Sequence, residues 1–86
     1  MNVDGLNREA VLEKVREHLS TELEIPIGEI VESTRLRDDL DADSLDLYEL
    51  VMELEDRYGV VVTEEQATHI NTVGDAVGFV LEHAPA

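Results

Sequence analysis

Asp41, Asp43 and Asp46 crowd a single hydroxyl in the run Asp41-Ala42-Asp43-Ser44-Leu45-Asp46. A serine hydroxyl can act as a nucleophile, or it can be the group another enzyme modifies. Nucleophilic attack needs an adjacent base, a third group that orients the base, and donors for an oxyanion. His18, His69 and His83 lie on three separate segments and do not supply that constellation. The spacing of Asp43 and Asp46 has a local meaning, since an acidic residue with a second polar side chain three positions on is a helix-capping pattern. Ser44 then falls in the first helical turn. A hydroxyl there is exposed, and the free N–H groups and positive end of the helix favour an attached or approaching phosphate. The chemistry readable here is modification of an unactivated serine, although Asp43-Ser44 alone is also an ordinary helix cap.

The same carboxylates invite a calcium reading, because Asp39, Asp41 and Asp43 match the first, third and fifth positions of an EF-hand loop. The match then breaks, with Ser44 where glycine is needed and Leu50 where a bidentate Glu is needed. No metal site is therefore expected. An acidic calcium-binding protein remains the least favoured alternative, and a hydrolase using Ser44 is disfavoured by the missing base.

Hydrophobic periodicity supplies the elements that position Ser44. Val11, Val15 and Leu19 recur every four residues, with Leu12 and Leu23 beside them, and predict a helix over about 7–22 capped by Asn7. Leu47, Leu50, Val51, Leu54 and Tyr58 make one inward face of a helix over about 44–58, stopped by Gly59. Thr63-Glu64-Glu65-Gln66 resembles a capping box opening a short helix over about 64–69. Val73, Ala76, Val77, Val80, Leu81 and Ala84 share one side of a last helix over about 72–84, capped by Thr72 and fading before Pro85. Val60-Val61-Val62 has strand propensity but no partner strand, and reads as an extended linker. Residues 24–43 form a long connection in which Pro26 and Gly28 break any continuous helix. Ile25, Ile27, Ile30, Leu36 and Leu40 are its apolar pins. The expected fold class is all-α: three main helices plus one short helix in a small bundle with a long first loop, one domain over residues 1–86.

Composition narrows the partners. Six basic against twenty-one acidic residues give a formal charge of −15, which repels nucleic acid and anionic lipid and suits basic protein surfaces. With no cysteine there is no disulfide framework, thiol nucleophile or zinc cluster. Met1 to Gly5 lacks the basic and apolar stretches of a secretory signal, and no apolar run reaches spanning length. A cytoplasmic monomer without membrane insertion is expected.

Leu40-Asp41-Ala42-Asp43-Ser44-Leu45-Asp46, followed by Glu49-Leu50-Val51-Met52-Glu53-Leu54-Glu55 and later Ile70-Asn71-Thr72-Val73, resembles the acyl carrier protein signature and its recognition helix. The likeness extends over nearly the whole chain, including the long first loop, the acidity and the scarcity of aromatics. It implies a non-catalytic carrier in which Ser44, within the Asp43-Ser44-Leu45 motif, bears covalent 4′-phosphopantetheine derived from coenzyme A. Acyl intermediates would ride on that arm as thioesters through fatty acid, polyketide or lipopeptide biosynthesis, with an aminoacyl or peptidyl carrier as the alternative. The implied partners are a phosphopantetheinyl transferase and acyl-activating, acyl-transferring and chain-elongating enzymes with basic docking patches. The family can also sequester an acyl chain between its helices, a property the apolar spacing does not show. One departure is Asp41, which stands where the family usually has glycine and restricts any left-handed backbone there.

Helical geometry puts Asp46, Glu49, Glu53 and Asp56 on one outward face. A charged face is commonly just solvated, but this one begins beside the serine, and like charges at such spacings weaken a helix by a few tenths of a kcal/mol, roughly, per pair. Leu45, Tyr48 and Met52 fall along its edge and suggest a small apolar contact rimmed by charge. These seven residues form the expected partner-binding face, to which the resemblance adds Ile70.

Overall fold

The computed structural model describes residues 7–84. The signal-sequence reading at Met1–Gly5 and the stop at Pro85 fall outside that range. Four helices follow in order: α1 Arg8–Leu23, α2 Ser44–Tyr58, α3 Glu64–Ala67 and α4 Val73–His83. No strand occurs among the described residues, and the fold is all-α.

Each helix starts on a side chain that satisfies free backbone N–H groups. Asn7 accepts from Ala10 N at 2.8 Å and opens α1. Asp43 with Asp46, Thr63 with Gln66, and Thr72 with Asp75 form reciprocal capping boxes at α2, α3 and α4. Gly59, at φ 70°, ends α2 in the left-handed conformation that glycine adopts without a Cβ clash. Glu24 closes α1 in the same conformation at φ 57°.

The apolar stripes meet in one core. Val11, Val15 and Leu19 of α1 pack with Leu50 and Leu54 of α2 and with Val73, Ala76, Val77 and Val80 of α4, all fully enclosed. Burying a Leu side chain of this kind stabilises the fold by roughly 1.5–3 kcal/mol. α1 packs chiefly on α4 and less extensively on α2. The inward face expected for α2 therefore divides: Leu50 and Leu54 enter the core, while Leu47, Val51 and Tyr58 are only partly covered.

The long connection is folded. Ile30, Leu36 and Leu40 plug into the core, whereas Ile25 and Ile27 are partly buried. Ile27–Glu29 forms a single 3₁₀ turn, and the Arg16 guanidinium reaches over from α1 to donate to Ile30 O at 2.6 Å and Ile27 O at 2.9 Å. The far end is tied to the start of α4: Leu36 N donates to Asn71 O at 2.9 Å, Val73 N to Thr34 O at 3.0 Å and Gly74 N to Glu32 O at 2.8 Å. Gly74 permits that approach, since a Cβ there would meet Glu32 O at 3.2 Å.

Asp41 adopts φ 59°, the left-handed conformation anticipated as a difficulty for a non-glycine residue. Its N–H still donates to Arg37 O at 3.1 Å, and Ala42 N to Leu36 O at 3.0 Å, so the surrounding turn holds the strained residue in place. Asp tolerates this region better than most residues, and glycine loses more chain entropy on folding, so the two effects partly cancel. Asp41→Gly is expected to stabilise the protein by about 0.5 kcal/mol. Urea melts of parent and variant measure this; a loss of stability would show that the Asp41 side chain contributes more than its backbone strain removes.

Candidate functional site

The turn over residues 35–41 delivers the chain to α2, where Asp43 is extended at φ −96°. Asp43 Oδ1 accepts from Asp46 N at 2.9 Å and Asp46 Oδ2 accepts from Asp43 N at 3.1 Å. The Asp46 N–H bond is the main reason that the Asp43 carboxyl is held below the usual range, so it stays ionised at neutral pH. The cap also fixes the first turn, with Ser44 as its first residue and exposed. No hydrogen bond among the described residues involves the Ser44 hydroxyl, and no histidine orients or deprotonates it.

Ser44 also borders a groove of about 370 Å³ between α2 and the segment leading into α3. Leu47, Val51 and Met52 line one side and Val62 and Ala67 the other, with Leu50, Leu54 and Ile70 in its lining too. Sequence periodicity assigned Leu47 and Val51 to the core. The structure instead leaves them along this groove, because α3 is a single turn and covers little of α2. The short helix ends at Ala67, after which Ile70 N donates to Ala67 O in a closing turn.

The outward face of α2 is assembled much as its spacing indicates. Leu45 and Tyr48 are 62% and 61% exposed and Met52 43%. The acids beside them are not four equivalent free charges. Asp46 is occupied in the cap, and Glu53 accepts from Arg57 at 2.8 Å. Glu49 is approached by Glu22 of α1, while Asp56 is exposed and forms no ion pair among the described residues. Ile70 needs correction as a contact residue: it is only 8% exposed and belongs to the core cluster, so it supports the groove from beneath.

Two features escaped sequence reasoning. Val61 is the most exposed large apolar side chain described, whereas Val60 is buried, an alternation available in the linker once it is read as extended. His18 and Glu22, one helical turn apart on α1, face α2. His18 Nε2 is enclosed without a hydrogen-bond partner. A proton-sharing contact with Glu22, reinforced by its charge, pushes the Glu49 carboxyl above its ordinary 4.5, and His18 weakly opposes the shift. A raised carboxyl pKa means that the folded state binds its proton more tightly than the unfolded chain does. This contribution is present below pH 4.5 and is lost as pH rises through the raised value. Glu22→Gln should therefore flatten the fall in melting temperature between mildly acidic and neutral pH; an unchanged slope would dismiss the contact.

The site is an exposed serine hydroxyl at the capped start of a helix in an acidic all-α bundle, placed where another enzyme can modify it. A family profile described as "Phosphopantetheine attachment site" matches residues 13–80. The acyl carrier protein of Rubrobacter xylanophilus is 42% identical over 81 residues, 94% of this chain and 100% of the relative. That of Lactobacillus acidophilus is 36% identical over 78 residues, 91% of this chain and 98% of the relative. The solved structure of the acyl carrier protein from Enterococcus faecalis superposes with a TM-score of 0.79 at 37% identity, covering 91% of this chain and 99% of that one. The chain belongs to the acyl carrier protein family, and its cofactor is 4′-phosphopantetheine.

The calcium alternative does not assemble. Asp39 is bound by Arg35, with contacts at 2.8–3.2 Å, Asp43 caps α2, and Asp41 sits on the left-handed turn. No group of three His, Cys, Asp or Glu among the described residues is arranged to hold a metal ion. No described helix is long and apolar enough to cross a membrane.

Proposed function

We propose that Ser44 is the attachment point of 4′-phosphopantetheine and that residues 1–86 act as one carrier domain. The observation that carries this is the exposed, hydrogen-bond-free hydroxyl at the rigidly capped start of α2. The chain's other serines compare poorly: Ser20 donates its hydroxyl to Ile25 O at 2.6 Å, and Ser33 lies in a turn of the long loop. The surroundings fit the group. The hydroxyl opens to solvent, where the transferase must reach it, and the adjoining groove offers the arm and its cargo an apolar wall.

Acyl groups are the cargo in this reading, passed among acyl-activating, acyl-transferring and chain-elongating enzymes of fatty acid, polyketide or lipopeptide biosynthesis. The groove's volume lies within the span of ordinary ligand pockets, roughly 300–1,000 Å³, and Leu47, Val51, Met52, Val62 and Ala67 give it an apolar wall that suits a hydrocarbon chain. Client enzymes with basic patches are steered by the acids of α2 and held by Leu45, Tyr48 and Met52. The protein works as a cytoplasmic monomer, its charge of −15 opposing self-association.

The test is intact mass after incubation with a phosphopantetheinyl transferase and coenzyme A, followed by peptide mapping. The added group should lie on the fragment containing Ser44. Its recovery on the Ser20 or Ser33 fragment would refute the assignment. Parallel loading with acyl-activating and aminoacyl-activating enzymes distinguishes the acyl from the aminoacyl or peptidyl carrier.

A further inference from the structure

The six Lys and Arg side chains are not used alike. Arg8 pairs with Glu32, Lys14 with Glu17, Arg16 with Glu13, Arg35 with Asp38 and Asp39, and Arg57 with Glu53. Among the described residues only Arg37 forms no ion pair, although Asp38, Asp39 and Asp41 follow it closely in the chain. An exposed cation with so many carboxylates nearby and none engaged is an unused charge. Its position gives it a use. Arg37 lines the same groove as Ser44, and its carbonyl is held by Asp41 N in the turn that leads into α2.

We propose that Arg37 binds the phosphodiester of the 4′-phosphopantetheine arm. This rests on Ser44 as the attachment point. The phosphorus is bonded directly to Ser44 Oγ in that reading, so its anionic oxygens lie next to Ser44, which borders the groove. They enter a strongly acidic neighbourhood, since Asp43 is ionised in the cap and Asp41 and Asp46 flank it. A guanidinium presents several N–H donors in a planar fork that matches phosphate oxygens, and its charge offsets the repulsion from the carboxylates. Arg37 thus draws the root of the arm toward the groove, while the thiol end remains free to enter a partner's pocket. The contact is exposed and must weaken with salt.

The experiment uses the full chain, unloaded and loaded, with loading verified by intact mass and mapped to Ser44. On loading, the Arg37 Nε–Hε resonance should shift, and the ³¹P resonance of the arm should differ between parent and Arg37→Gln. Arg37→Lys should fall between them, because it keeps the charge and loses the fork. Arg35→Gln removes the same charge from an already paired side chain and should leave the ³¹P resonance at its parental position. High salt should bring the parent to the Arg37→Gln value. Confirmed loading at Ser44 with an unmoved Arg37 signal and identical ³¹P resonances overturns the Arg37 contact alone. Loading at another residue overturns the attachment reading and this contact with it.

Discussion

Ser44→Ala is expected to abolish transferase loading completely while leaving the fold intact. The two outcomes separate because the hydroxyl has no structural duty: it accepts and donates no hydrogen bond among the described residues, and the capping box belongs to Asp43 and Asp46. Alanine is also the better helix former, so stability should stay within about 0.5 kcal/mol of the parent or rise slightly. Asp43→Ala behaves differently. It removes the cap, costs about 1 kcal/mol, and frays the turn that displays Ser44, so loading slows and the melting midpoint falls together. Intact mass and urea melts on the two variants measure both quantities. Mass gain in Ser44→Ala would end the proposed assignment.

Glu49→Lys should weaken acyl transfer to client enzymes and, against the usual trend for charge reversal, strengthen the fold. In the parent, Glu49 faces the Glu22 carboxyl, and their mutual approach is what raises the Glu49 pKa. A lysine would turn that repulsion into attraction between α1 and α2, so the melting temperature should rise at neutral pH. A basic docking patch meets the reversed charge and loses steering. We expect kcat/KM for transfer to drop about tenfold at low salt, equivalent to about 1.4 kcal/mol. The deficit should shrink toward about 1 M salt, where the screening length falls to roughly 3 Å. Asp56→Lys, at a carboxylate without an ion pair among the described residues, should show the transfer defect without the gain in stability. Undiminished transfer by Glu49→Lys at low ionic strength would remove Glu49 from the docking face.

Ser44→Ala and Glu49→Lys alter a helix that is anchored by its opposite face. Leu50 and Leu54 anchor α2 in the core, and Ser44, Leu45, Tyr48, Met52 and the acids are carried on what remains. In the proposed reading, the rigidity that aims the arm and the surface that meets partners are therefore supplied by different residues of the same fifteen-residue helix. Mutations on one face can be read without large corrections for the other, except at Glu49, which touches α1.

The sequence by itself determined the features that depend on neighbours along the chain. The stripes Val11, Val15, Leu19 and Val73, Ala76, Val77, Val80 mark helices because one period of the α-helix brings such residues onto one side. Asp43 with Asp46, Thr63 with Gln66, and Thr72 with Asp75 are three residues apart, the reach of one helical turn, so the caps are legible in the letters. Tertiary structure decided whatever depends on residues distant in sequence. Only the arrival of α4 ties Thr34 and Leu36 into place, and only the brevity of α3 leaves Leu47 and Val51 along a groove. Glu22 reaches Glu49 across two helices, Ile70 sinks into the core, and Arg37, without an ion pair among the described residues, lines the same groove as Ser44. Periodicity says which side of a helix is apolar; it cannot say how much of that side its neighbours will cover, because coverage is set by their lengths and by the path of the chain between them.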